Sequence, residues 1–154
     1  MILYLDASAL VKHYVAEPGS TEVNEAISQA EVVSTALISR AEVAAALAKA
    51  VRTGALTQED AMHSLQVFRD EWPDLVRVQL TEFVIARADA FAWEHSLRAY
   101  DAVHLAAASV WQDTVGERVT LATFDRHLWT AAQQVGLAAY PVDLPTTLDR
   151  WKDH

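Results

Sequence analysis

Short apolar runs without a period-two polar pattern, separated by longer helical stretches, constrain this chain more than any other feature. A strand that is apolar on both faces must be covered on both. A helix between successive strands returns the chain to the same sheet edge, so the pattern implies a parallel sheet between helical layers. Ile2-Leu3-Tyr4-Leu5 is the first run, ending at Asp6-Ala7-Ser8, and a helical pattern follows from Ala9 to Val15. Pro18-Gly19 interrupts the chain, Ser20 is placed to cap a second helix, and Glu31 to Thr35 reads as the second strand. Leu37 to Arg52 is helical with Gly54 as its stop, and Thr57 with Glu59 and Asp60 opens a partner helix running to Trp72 before Pro73. Leu75 to Val78 is the third strand, followed by helices from Thr81 to about His95 and around Asp101 to about Val115. Val119 to Thr123 is the fourth strand, and Arg126 to Val135 is a helix closed by Gly136. Ala139 to Val142 reads as a fifth strand at a sheet edge, because Pro141 cannot donate to a central ladder. The expectation is a single α/β domain over residues 1–154, in three layers, with a central parallel sheet of about four or five strands flanked by helices. The tail 143–154 receives no assignment.

Composition narrows the function classes. A hydrophobic fraction of 52% with only four glycines and four prolines fits a helix-rich globular chain. The absence of cysteine excludes disulfides, thiolate metal sites and cysteine nucleophiles. The apolar N-terminus has no basic leader, and Asp6 and Lys12 interrupt it before a signal core or membrane span is complete, so a cytoplasmic location without membrane association is expected. A net charge of −9 opposes a broad phosphate-gripping face. It is compatible with a nuclease whose clustered carboxylates hold divalent cations. No glycine-rich phosphate loop is present.

In parallel sheets of this kind sites form beyond the strand C-termini, near the point where the winding direction reverses. Asp6 and Asp125 follow apolar strands, while Glu42 and Asp101 lie in or near the first turns of helices that begin at the same edge. Each has a plain alternative: Asp6 and Asp125 as helix caps, Asp101 as a helix-dipole carboxylate, Glu42 as an exposed acid or an ion-pair partner of Arg40 or Lys49. If the first and fourth strands are parallel neighbours, all four are expected to converge at one sheet edge. Two carboxylates ~5 Å apart repel by roughly 3 kcal/mol at an effective dielectric of about 20, so such a cluster requires protons or cations. Oxygen donors alone favour Mg²⁺ or Mn²⁺.

Tyr100-Asp101-Ala102-Val103-His104-Leu105-Ala106, Leu5-Asp6-Ala7-Ser8-Ala9-Leu10-Val11-Lys12, Ser39-Arg40-Ala41-Glu42-Val43 and Thr123-Phe124-Asp125-Arg126 together resemble the PIN-domain ribonucleases, specifically the VapC-type toxins of toxin-antitoxin pairs. The resemblance runs from Leu3 to about Val142. It implies a Mg²⁺- or Mn²⁺-dependent endoribonuclease that hydrolyses RNA phosphodiester bonds, generally as a homodimer silenced by a cognate antitoxin protein. Asp6, Glu42, Asp101 and Asp125 map onto the family's acidic quartet, and Ser8 and Thr123 onto its polar accessory positions. Asp6 and Asp101 are expected as primary metal ligands. Glu42 is assigned to metal binding or water orientation, and Asp125 to a second metal or an outer role through water.

Lys12, Arg40 and Arg98 lie close enough in sequence to these motifs to meet RNA phosphates, with solvated charge as the alternative. His104 reads as a packed, hydrogen-bonded histidine in preference to a ligand or base. The five tryptophans read as core or interface. The apolar helical pair from Leu37 to Trp72 is expected either to fill the core or to dock another chain. Two other function classes stay open at this point. A receiver-like domain that accepts a phosphoryl group on aspartate shares the alternating order but lacks an adjacent acidic pair and a strand-end lysine. A non-catalytic binding or scaffold protein is the other.

Overall fold

The computed structural model describes residues 1–153. In chain order the elements are β1 (Ile2–Leu5), α1 (Ala7–Tyr14), α2 (Ser20–Gln29), β2 (Val32–Ala36), α3 (Ser39–Arg52), α4 (Gln58–Glu71), a 3-10 turn (Trp72–Asp74), β3 (Val76–Val78), α5 (Glu82–His95), α6 (Ala99–Val115), β4 (Val119–Ala122), α7 (Arg126–Gln134), β5 (Ala138–Tyr140) and α8 (Leu144–Lys152). The five strands are ordered β3-β2-β1-β4-β5 and every pairing is parallel. The chain winds outward from β1 through β2 to β3, then returns to β1's other side with β4. The reversal therefore falls between β1 and β4, where Leu5 stands beside Ala122.

Alternate residues of β1 explain why its run is apolar throughout. Ile2 and Tyr4 face a core shared with Leu105 and Ala106 of α6 and Leu128 of α7. Leu3 and Leu5 face the opposite core, with Leu10, Val23, Val43, Leu47 and Phe68 of α1 to α4. All four are buried, which is what a central strand between two helical layers requires. Helix α6 buries Ala102 and the run Leu105 to Ala108. These small side chains let the helix lie close to the sheet and to α5.

Several boundaries differ from the sequence reading for local reasons. Ser20 is not the cap of α2; Gly19 occupies that position at φ 99°, and the Ser20 hydroxyl instead donates to the Val15 carbonyl at 2.9 Å and accepts from the Glu17 amide at 3.0 Å. Asp6 caps α1, whose first residue, Ala7, lies two before the expected start. The α3 pattern begins at Ser39, with Leu37 and Ile38 spent on the turn out of β2. The unassigned tail forms α8, capped by Asp143, whose carboxylate accepts from the Thr146 amide at 3.1 Å and hydroxyl at 2.8 Å. No helix among the described residues is long and apolar enough to cross a membrane.

Candidate active site

A cleft of about 550 Å³ opens at the strand C-terminal edge, lined by Asp6, Ser8, Lys12, Glu42, Arg98, Tyr100, Asp101, His104, Phe124, Asp125 and Trp151. The four acids reach it from four places: the β1 exit, the first turn of α3, the first turn of α6 and the β4 exit. Arg40 does not reach it. Its guanidinium lies 5.9 Å from the Trp72 ring and borders a separate groove between α3 and α4, so the expectation that it serves this site is not met.

Asp6 is the most enclosed acid, 4% exposed. Its Oδ1 accepts from the Ser8 hydroxyl at 2.9 Å and the Ala9 amide at 2.8 Å, and its Oδ2 from the Thr123 hydroxyl at 2.6 Å. Burial raises the Asp6 pKa above its ordinary value, and the hydrogen bonds from Thr123, Ala9 and Ser8 offset only part of that effect. Capping α1 and lining the cleft are thus one geometry, because the strand exit that aims a carboxylate into the cleft also places it over the helix N-terminus. Asp125 repeats the arrangement: its Oδ1 accepts from the Leu128 amide at 2.9 Å, and its own amide donates to Thr123 Oγ1 at 3.1 Å. Thr123 therefore joins the two strand-exit acids.

Glu42 is fixed from beneath. His104, 2% exposed, places Nε2 2.7 Å from Glu42 Oε1 and Nδ1 2.7 Å from the Tyr4 hydroxyl. A carboxylate only accepts, so Nε2 is assigned the proton; on the neutral ring Nδ1 then accepts from Tyr4. Burial, with the charges of Asp6 and Glu42, raises the Tyr4 pKa well above its ordinary range, which keeps that hydroxyl protonated. A second polar chain anchors the start of α3: Thr35 donates to the Leu5 carbonyl at 2.7 Å, leaving Ser39 as donor to Thr35 at 2.6 Å. Tyr4 and Thr35 carry no signal in the sequence, since their partners lie on other elements.

Asp101 and Asp125 share Arg98, whose Nε is 3.1 Å from Asp101 Oδ2 and whose Nη2 is 3.2 Å from Asp125 Oδ2. Arg98 thus bridges two of the four acids. Among the described residues, no three histidine or acidic side chains close into a ready cage for a metal ion. The donor chemistry nevertheless fits a hard divalent cation: four carboxylates line the cleft beside two cationic side chains, and Lys12 is already paired with Glu17 at 3.0 Å. Glu42 Oε2 and Asp101 Oδ1 have no protein hydrogen-bond partner among the described residues. The receiver-like alternative lacks its parts here, since Ala7 follows Asp6 and Thr123 follows β4.

An all-parallel α/β sheet with four acids gathered at its reversal point defines the class. The family described as the PIN domain matches residues 3–133, and the chain belongs to that family. Among curated relatives, Ribonuclease VapC45 of Mycobacterium tuberculosis is 34% identical over 144 residues, covering 93% of this chain and 97% of its own length. Ribonuclease VapC3 of Pyrobaculum aerophilum is 32% identical over 130 residues, covering 83% and 92% respectively. A chain of a toxin-antitoxin complex from Klebsiella pneumoniae superposes with a TM-score of 0.60 at 19% identity, over 81% of this chain and 87% of that one; at that identity the likeness is one of fold.

Proposed function

We propose that this protein is a Mg²⁺- or Mn²⁺-dependent endoribonuclease that hydrolyses RNA phosphodiester bonds in the cytoplasm, as the toxin of a toxin-antitoxin pair. The observation that carries the reading is the arrival of Asp6, Glu42, Asp101 and Asp125 from four separate elements in one cleft. The VapC names of relatives that span nearly the whole chain support the same reaction.

In this reading Asp6 and Asp101 hold the cation directly, with Glu42 and Asp125 acting directly or through water. Bound there, a divalent ion supplies Lewis-acid activation of water and charge neutralisation at the scissile phosphate. The chain's own groups set the geometry. Thr123, Ser8 and the Ala9 amide lock the Asp6 carboxylate in one orientation. His104 and Tyr4 hold Glu42 by one oxygen, leaving Oε2 to accept a proton or orient a water. Arg98 is largely exposed and pairs with Asp101 and Asp125 only at the rim, so it can turn to an RNA phosphate as substrate enters.

The partner reading rests on surface chemistry. Helices α3 and α4 bury Val43, Leu47, Ala61 and Phe68 in the core, yet leave a second cleft of about 260 Å³ lined by Leu47, Val51, Met62 and Leu65. An apolar segment of the antitoxin would occupy it. Phe83, Ile85 and Trp93 of α5 are exposed and are assigned to the homodimer contact.

Asp101→Asn is expected to lower cleavage of RNA in Mg²⁺ or Mn²⁺ by at least about 100-fold and to shrink the thermal stabilisation that Mn²⁺ gives the wild type. Equal cleavage by variant and wild type overturns the catalytic assignment. A wild type that neither cleaves RNA nor gains stability from metal returns the scaffold reading.

A further inference from the structure

Beyond the acids, one wall of the cleft is aromatic. Phe124, directly after Thr123, and Trp151 of α8 lie with ring centroids 5.2 Å apart and planes inclined by 32°. Lys12 Nζ sits 5.1 Å from the Phe124 centroid and 5.5 Å from that of Trp151, and is held by Glu17. Gly19 closes the assembly from behind: a Cβ there would stand 2.8 Å from Lys12 Cδ and 3.1 Å from Trp151 Cη2. Core packing does not account for Trp151. It remains partly exposed and belongs to neither core cluster, while α8 is anchored through buried Leu144 and Thr147. Three residues from three segments, Phe124, Lys12 and Gly19, thus surround one indole beside the acids.

A strongly acidic cleft repels RNA, and a ligand that must enter it gains from contacts that carry no charge. Aromatic faces provide such contacts, because every nucleobase has a π-face to stack on them. Lys12 is only 12% exposed and already neutralised by Glu17, so it is better suited to fixing the rings by cation–π attraction than to gripping a phosphate. We propose that Trp151 and Phe124, braced by Lys12, form a nucleobase-stacking subsite for a nucleotide flanking the scissile phosphate. The inference rests on the ribonuclease reading and adds to it a determinant of where the strand is held.

The test uses a short RNA with a mapped cleavage site and a series carrying one abasic nucleotide at each position around it. Kinetics are measured with the wild type, and binding in the uncleaving Asp101→Asn background. Trp151→Leu, which keeps apolar bulk, is expected to raise KM and the background Kd by roughly 5- to 150-fold, with kcat changing far less. Trp151→Phe recovers most of that loss. One abasic position weakens binding by the wild-type cleft and adds nothing to Trp151→Leu. The proposal is overturned if Leu and Phe variants bind alike, or if every abasic substrate loses as much with Trp151→Leu as with Trp151. Because the abasic series on the unaltered cleft needs no Trp151 variant, a uniform response there also overturns it should Trp151→Leu misfold. If the wild type cleaves no RNA, the ribonuclease reading fails, while binding of a short single-stranded RNA with one abasic nucleotide at each position in turn, compared between Trp151 and Trp151→Leu, still decides the subsite.

Discussion

Asp6 shows how one carboxylate meets two demands that pull in opposite directions. As a cap it satisfies an α1 amide, and as a buried charge it carries a desolvation cost that its hydrogen bonds do not fully offset. Its folded pKa lies above its unfolded value. Between those two values the folded chain binds more protons than the unfolded one, so stability falls as pH rises through that window, and above it the whole cost is present. Asp6→Asn keeps a capping oxygen and removes the charge. With metal chelated it is expected to melt about 2–4 °C above the wild type at pH 7, with the gap narrowing toward pH 4. Thermal melts across that range check this, and a gap that stays constant with pH refutes the charge as its source. The same variant should be inactive, which is the usual opposition between stability and function at a buried charged site.

At the scale of elements, α1 and α8 are joined through a glycine. Gly19 has φ 99°, where a side chain is strained, and the space its Cβ would need is filled by the Lys12 stem and the Trp151 ring. Gly19→Ala is therefore expected to cost about 1–3 kcal/mol, combining left-handed backbone strain with displacement of Lys12 and Trp151. Denaturant unfolding measures the loss, and hydrogen exchange should show α8 opening earlier than α6. A change under 0.5 kcal/mol, within the range of ordinary surface substitutions, would mean that the ring and the lysine yield freely. Element boundaries were legible where the cause was local: Thr57 caps α4 through the Asp60 amide at 3.1 Å, and Thr81 caps α5 through the Val84 amide at 3.3 Å. They differ where one local contact outcompetes another: the Ser20 hydroxyl serves the Val15 carbonyl and the Glu17 amide instead of the helix start. The start of α8 is also marked locally, by the Asp143 cap and Pro145, while its docking against Gly19 and Phe124 is a matter of tertiary packing.

Across the whole molecule, the sheet order brings residues far apart in sequence into one polar network beneath the cleft. Thr123 meets Asp6 across 117 positions, and His104 meets Tyr4 across 100 and Glu42 across 62. Tyr4 ties this network to global stability. Its pKa is raised from 10, so above pH 10 the folded chain retains a proton that the unfolded chain loses, and stability falls by up to about 1.4 kcal/mol per pH unit from this residue. Tyr4→Phe removes that dependence but leaves His104 Nδ1 without a donor in a dry interior. The variant is expected to be about 1–3 kcal/mol less stable at neutral pH, with its deficit shrinking above pH 10. Parallel stability profiles for the two proteins through the alkaline range would show that Tyr4 is not the titrating group.

The order of strands and helices, the coverage of the sheet on both faces, and the emergence of Asp6 and Asp125 at strand exits were determined by the sequence itself. Each follows from local apolar pattern and from position along the chain. Only the tertiary structure decided that Arg98 bridges Asp101 and Asp125, that Arg40 turns to Trp72, that His104 braces Glu42, and that Trp151 borders the acids. These are pairings between elements. Their partners are selected by sheet order and helix packing, and a charged or aromatic residue carries no local mark of which distant neighbour the fold will bring to it.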